Sequence, residues 1–177
     1  MYQRWAEILG NHAAKVFYIM SGLRPDRMEI AEADIGGGPR YPLGVRVDFS
    51  GHDSAGRPVG GFFVCAFDTT ESAADIASTI AIKLGLAPPP PGDSTDIDNV
   101  LGEFLNIVIG LTCSDWAEHG LTTEFDPPQA LSMHGKTAMA RSKAYHLTMA
   151  TDYHPTVSIF LVFLPPEAVT PPAGGPK

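Results

Sequence analysis

The feature that most constrains this chain is the segment Asp96–His119, DIDNVLGEFLNIVIGLTCSDWAEH, the longest helical pattern in the sequence. Its apolar residues Ile97, Val100, Leu101, Phe104, Leu105, Val108, Ile109, Leu111 and Trp116 recur at the i, i+3, i+4 spacing of a helix buried in a core. One narrow stripe differs. Asn99, Gly102, Glu103, Asn106, Gly110 and Cys113 recur at spacings of three and four, with Gly102 and Glu103 adjacent, which places them on a single side. Glycine in a helix interior costs about 1 kcal/mol relative to alanine, so two of them in one stripe need a reason. Either they pack closely against a neighbouring element, or they clear space around Glu103 and Asn106 for the backbone of another macromolecule. Pattern alone leaves both open.

At 177 residues and 44% hydrophobic content the chain suits one globular domain, expected over 1–164. The Pro- and Gly-rich stretch 165–177 reads as a disordered tail. A net charge of −8 with scattered Lys and Arg excludes nucleic acid as a partner, because a polyanion needs a basic footprint. Uninterrupted apolar runs such as Ile159–Leu164 fall far short of the roughly 20 residues a membrane span requires, so no membrane insertion is expected. The N-terminus lacks a basic segment followed by an unbroken apolar one, and the expected location is the cytoplasm. Cys65 and Cys113 lie in apolar patterns without CxxC spacing and read as buried reduced thiols.

Helical spacing predicts an opening amphipathic helix from Tyr2 to about Leu23, ending near Gly22. Met28–Ala33 reads as a short strand, and the following Gly36-Gly37-Gly38-Pro39 matches neither phosphate-loop spacing and reads as a connection. Leu43–Phe49 and Gly60–Phe67 read as strands joined by a hairpin loop, Ser50–Pro58. His52, Asp53 and Ser54 are adjacent on that turn and cannot face one another as nucleophile, base and orienter. Thr70 is expected to cap a second helix reaching Leu84, and Pro88–Pro91 to form a stiff spacer. Thr95 with Asp98 resembles a capping box for the central helix, which Gly120 closes. Leu121–Phe125, Gln129–Met133, Ala144–Thr151 and Thr156–Leu164 then read as strands. The fold class expected is α+β: an antiparallel sheet with long helices packed on it. The six histidines show no HxxxH or HExxH spacing, and no metal is assigned.

With the elements in order, the central helix becomes recognisable. GEFLNIVIG, Gly102–Gly110, resembles the GE-x-x-N-x-x-x-G signature of the CheC, CheX and FliY chemotaxis phosphatases, CheX in particular. A small-residue helix and a proline-rich break precede it, and LTTEFDPPQAL after it is similar to that family's strand and proline segment, so the likeness runs from about Asp34 to Leu164. Two departures stand out: Asn99 where the pattern often has Asp or Ser, and the downstream proline one position early at Pro128.

The resemblance implies a substrate, a phosphorylated response regulator of the CheY type whose aspartyl phosphate is hydrolysed. It implies that Glu103 pairs with the regulator's lysine and that Asn106 holds a water in line with phosphorus. Asn99, Gly102 and Gly110 would border the partner, with both glycines admitting its loops. The Mg²⁺ would sit on the regulator, with no cofactor in this chain. A homodimer made through sheet edges is also implied. A competing expectation is a binding module for a signalling or flagellar-switch partner, the residue at Asn99 marking lost catalysis. A third is that the stripe lies buried under another element, where a charged Glu103 would be costly.

Overall fold

Alternation in the strand segments is what assembles this molecule: β2 (Leu43–Asp53) sends Val45, Val47 and Phe49 to one side and Arg46, Asp48 and Ser50 to the other. The computed structural model describes residues 1–33, 43–130, 142–151 and 154–169. The remaining strands are β1 (Arg27–Ala33), β3 (Pro58–Phe67), β4 (Leu121–Phe125), β5 (Gln129–Ala130), β6 (Lys143–Thr151) and β7 (His154–Phe163). They form one seven-stranded sheet in the order β1-β6-β7-β3-β2-β4, with β5 also pairing to β2. Every pairing is antiparallel. The expected α+β class is the one observed.

Helices α1 (Tyr2–Ser21), α2 (Thr70–Lys83) and α3 (Ser94–Glu118) cover one face. Their apolar sides share a core with Val45, Val47, Phe49, Phe63, Cys65, Leu147, Ile159, Leu161 and Phe163. On the opposite face Phe62, Val64, Ala66, Ala144, Phe160 and Val162 form a second, smaller cluster. β3 therefore buries both faces, which is why VGGFFVCAF reads as a nearly continuous apolar run.

Two aromatic contacts fix α1 against α3. Trp116 Nε1 donates to the Trp5 carbonyl at 3.0 Å, and the Phe17 and Phe104 rings meet edge to face at 6.2 Å. Between them His12 Nε2 lies 2.8 Å from Asp115 Oδ2. α3 is long and apolar enough, by length and composition, to cross a bilayer. Here Ile97, Leu101, Phe104, Leu105, Val108, Ile109 and Trp116 are instead fully buried in the core. At about 1.5–3 kcal/mol for each large side chain, that burial outweighs the cost of two helical glycines several times over.

Several boundaries differ from expectation for local reasons. Asp93, not Thr95, caps α3, its carboxylate accepting from the Thr95 and Asp96 amides. The acid stands just after Gly92, whose φ of +83° ends the proline spacer, so the chain is already turned for a cap there. Thr69, not Thr70, caps α2 by accepting from the Ser72 amide at 3.0 Å. The β2–β3 hairpin is tighter than expected, because residues as far as Asp53 pair with β4. Asp53 then organises the turn, accepting from the Ala55 and Arg57 amides and from Arg57 Nε at 2.9, 3.0 and 2.7 Å. Residues 166–168 of the expected tail form one 3-10 turn, with Val169 close against Gly60. Residues 170–177, the glycine run at 36–38 and the end of the expected strand at 131–133 lie outside the described residues.

Candidate active site

The outward side of α3 is a ridge on which Asn99, Glu103, Ile107 and Leu111 succeed one another at steps of four. Asn106, Gly110 and Ser114 run beside them. Glu103 is exposed and Asn106 half-buried. Along the helix they are about 4.5 Å apart and about 60° around its axis, so both side chains can enter one recess on a partner. Neither makes a hydrogen bond or ion pair with the described residues. A carboxylate beside a carboxamide, neither bonded to a described residue, has the groups to take a cation and to orient a water. The arrangement in which Glu103 lies beneath another element is overturned.

The two glycines of the stripe have different surroundings. A Cβ on Gly102 would stand 3.3 Å from Pro128 Cβ and 3.7 Å from its Cγ, so this glycine is packed against the chain's own proline. Pro128 is held on both sides. The Asp126 amide donates to the Asp48 carbonyl at 2.9 Å, and Gln129 and Ala130 pair with Arg46 and Val45. A Cβ on Gly110 would meet nothing within 4 Å. Of the two explanations open in the sequence, close packing accounts for Gly102, and only Gly110 is open to an approaching backbone. Asn99 is exposed a turn before Glu103.

Cys113 does not belong to the ridge. It is buried, and that burial pushes its thiol up. Cys65, wholly enclosed in the sheet core, is pushed up to about 12 and is chemically inert at neutral pH. Leu111, expected inside, is 40% exposed, and Ile107 beside it is 38% exposed. Counting in fours from Glu103 would have found both. Asp98, read in the sequence only as the capping-box partner of Thr95, has a different setting. It lies one turn before Gly102, partly buried, with Oδ1 unpartnered and its carboxyl held above the usual range by desolvation.

Other polar residues singled out in the sequence have structural partners. Arg57 beside Asp53 holds that carboxyl below the usual range, and the oxygens are committed to the turn rather than to His52 or Ser54. His146 stacks on Phe160 at 4.3 Å and lies 3.1 Å from the Ser158 hydroxyl. A cavity of about 150 Å³ lined by Gln3, Glu7, Ile30, Glu32 and Tyr145 contains none of the ridge residues. Among the described residues no group of three or more His, Cys, Asp or Glu is placed to hold a metal ion.

A sheet of this order with three helices on one face is the CheC/CheX fold, and the resemblance carried by Gly102–Gly110 extends over nearly the whole chain. CheX of Borrelia burgdorferi, crystallised in complex with CheY, BeF₃ and Mg²⁺, superimposes with a TM-score of 0.67 at 15% identity, over 90% of this chain and 97% of that one. CheX of Vibrio vulnificus gives 0.67 at 18% identity, over 91% and 99%. A CheC-like protein of Shewanella oneidensis gives 0.68 at 17% identity, over 93% and 100%. At such identities the likeness is one of fold. No protein-family model and no curated protein matches the sequence.

Proposed function

We propose that this chain is a phosphatase acting on the aspartyl phosphate of a CheY-type response regulator. The observation that carries the reading is the pair on α3, Glu103 exposed and Asn106 beside it, neither with a hydrogen-bond or ion-pair partner among the described residues. The shared fold with a CheX crystallised on CheY supports it.

In this mechanism the Glu103 carboxylate takes the ammonium of the regulator's active-site lysine in a charge-assisted hydrogen bond. That contact fixes the register and sets Asn106 about one turn along, over the phosphoryl group. The Asn106 carboxamide accepts from the attacking water through its oxygen and can donate through its nitrogen, holding the water in line with the bond to be broken. The water oxygen bonds to phosphorus as the bond to the aspartyl oxygen breaks. The leaving carboxylate takes the electron pair, and the water's proton leaves with inorganic phosphate. Because an acyl phosphate already has a good leaving group, positioning the nucleophile is the larger part of the task. The Mg²⁺ of the reaction belongs to the regulator and offsets charge on the phosphoryl oxygens.

Glu103→Ala and Asn106→Ala should keep the fold yet lose acceleration of regulator dephosphorylation, read as phosphate release across the organism's own phosphorylated regulators. Variants as fast as the parent would exclude the proposal. Binding by the parent without acceleration would assign a docking module instead.

A further inference from the structure

The polar pair does not stand alone on its ridge. Ile107 and Leu111 follow Glu103 at one and two turns, about 6 and 12 Å along the axis, and are 38% and 40% exposed. On the opposite flank stands Phe125, also 40% exposed. Its position follows from alternation in β4. Leu121 is buried in the core, so Thr123 and Phe125 share the helix-facing side of the strand. β4 begins at Leu121, just beyond the end of α3, and by Pro128 the chain lies against Gly102, so Phe125 stands beside the stretch of α3 between Gly102 and the helix C-terminus. Gly110 falls within that stretch, and a Cβ there would meet nothing within 4 Å.

We infer that Ile107, Leu111 and Phe125 form an apolar rim that closes on the phosphorylated regulator around its reacting aspartate, setting affinity while Glu103 and Asn106 set the rate. The inference rests on the proposed function, and geometry commits it to that occupant. Asn106 and Ile107 are consecutive on one helix, about 100° apart, so a recess that admits Asn106 brings its own border against Ile107. The same approach presents Leu111 and Phe125 to the partner. Large side chains left exposed beside a polar pair at the centre match the division of labour in protein interfaces, where a surrounding ring excludes water from a few decisive contacts. Water exclusion matters twice here. It strengthens the Glu103–lysine attraction, and it leaves the water on Asn106 without competing hydrogen bonds. The regulator that fits should carry apolar side chains bordering its lysine and phosphoryl pocket.

The test replaces Ile107, Leu111 and Phe125 together by serine, with Ile82→Ser on α2 as a control at a 63% exposed apolar site. Binding is measured to the regulator carrying beryllofluoride, and KM and kcat to the phosphorylated regulator. The triple variant should raise both Kd and KM by about tenfold or more, with kcat within about twofold, while Ile82→Ser changes neither. Should the triple variant melt early, Ile107→Ala and Leu111→Ala singly carry the test with smaller shifts of the same kind. A Kd and KM within about twofold of the parent, or a fall in kcat at constant KM, would overturn the rim while leaving the phosphatase reading intact. A parent that neither binds nor accelerates any regulator would remove both.

Discussion

Gly102 and Gly110 lie on one stripe of one helix, two turns apart, and only one of them is explained by its own fold. At Gly102 the missing side chain is filled by Pro128; at Gly110 the space is empty. The boundary between them divides α3 into a flank that builds the protein and a ridge that stands free of it. Stability belongs to the first, and the proposed chemistry to the second.

The strongest way to sharpen that contrast is to empty the packed flank. Leu105→Ala, at a fully buried position, should cost about 2–5 kcal/mol in urea unfolding, whereas Glu103→Ala on the ridge should stay within about 0.5 kcal/mol of the parent. Equal losses at the two positions would erase the distinction.

A smaller and opposite effect is expected at the glycines. Gly110→Ala should gain up to about 1 kcal/mol, since helix propensity improves and the new methyl group meets nothing. The same change should slow regulator dephosphorylation if a partner's backbone uses that space. Gly102→Ala should gain less than Gly110→Ala or lose, because Pro128 is pinned by the Asp126 amide and by β5 and cannot retreat freely. Thermal melts of the pair decide this, and a larger gain at Gly102 would show the proline contact to be slack.

The smallest effect concerns Asp98, whose carboxyl is raised by burial. A folded-state value above the unfolded one means the folded protein binds that proton more tightly. The contribution to stability is therefore fully present below the unfolded value near 3.8 and is lost as pH rises through the folded value. Asp98→Asn should stabilise the protein at neutral pH and remove this part of the pH dependence. Unfolding curves from pH 4 to 7 that run parallel for the two proteins would contradict it.

Strand alternation and helical period made most of the architecture legible from sequence. Leu121–Phe125 emerges with its expected limits, and α1, α2 and α3 within about two residues of theirs. What escaped depended on partners distant in sequence. Residues 50–53 look like a polar turn until β4 pairs with them. Cys113 shares the stripe's period, yet it is buried. Leu111 fits a buried pattern, but no element of the fold covers that part of α3 completely. Glu103 and Asn106 were readable because their type and spacing are foreign to so apolar a helix. The difference between the two glycines was not, since only the position of Pro128 separates them.

The most direct test of the central claim is the turnover of saturating phosphorylated regulator by the parent and by Asn106→Ala. A parent rate well above spontaneous hydrolysis, reduced on the order of a hundredfold in Asn106→Ala with the beryllofluoride-bound regulator still captured, is the expected result. An Asn106→Ala variant that turns over substrate at the parent's rate would contradict it.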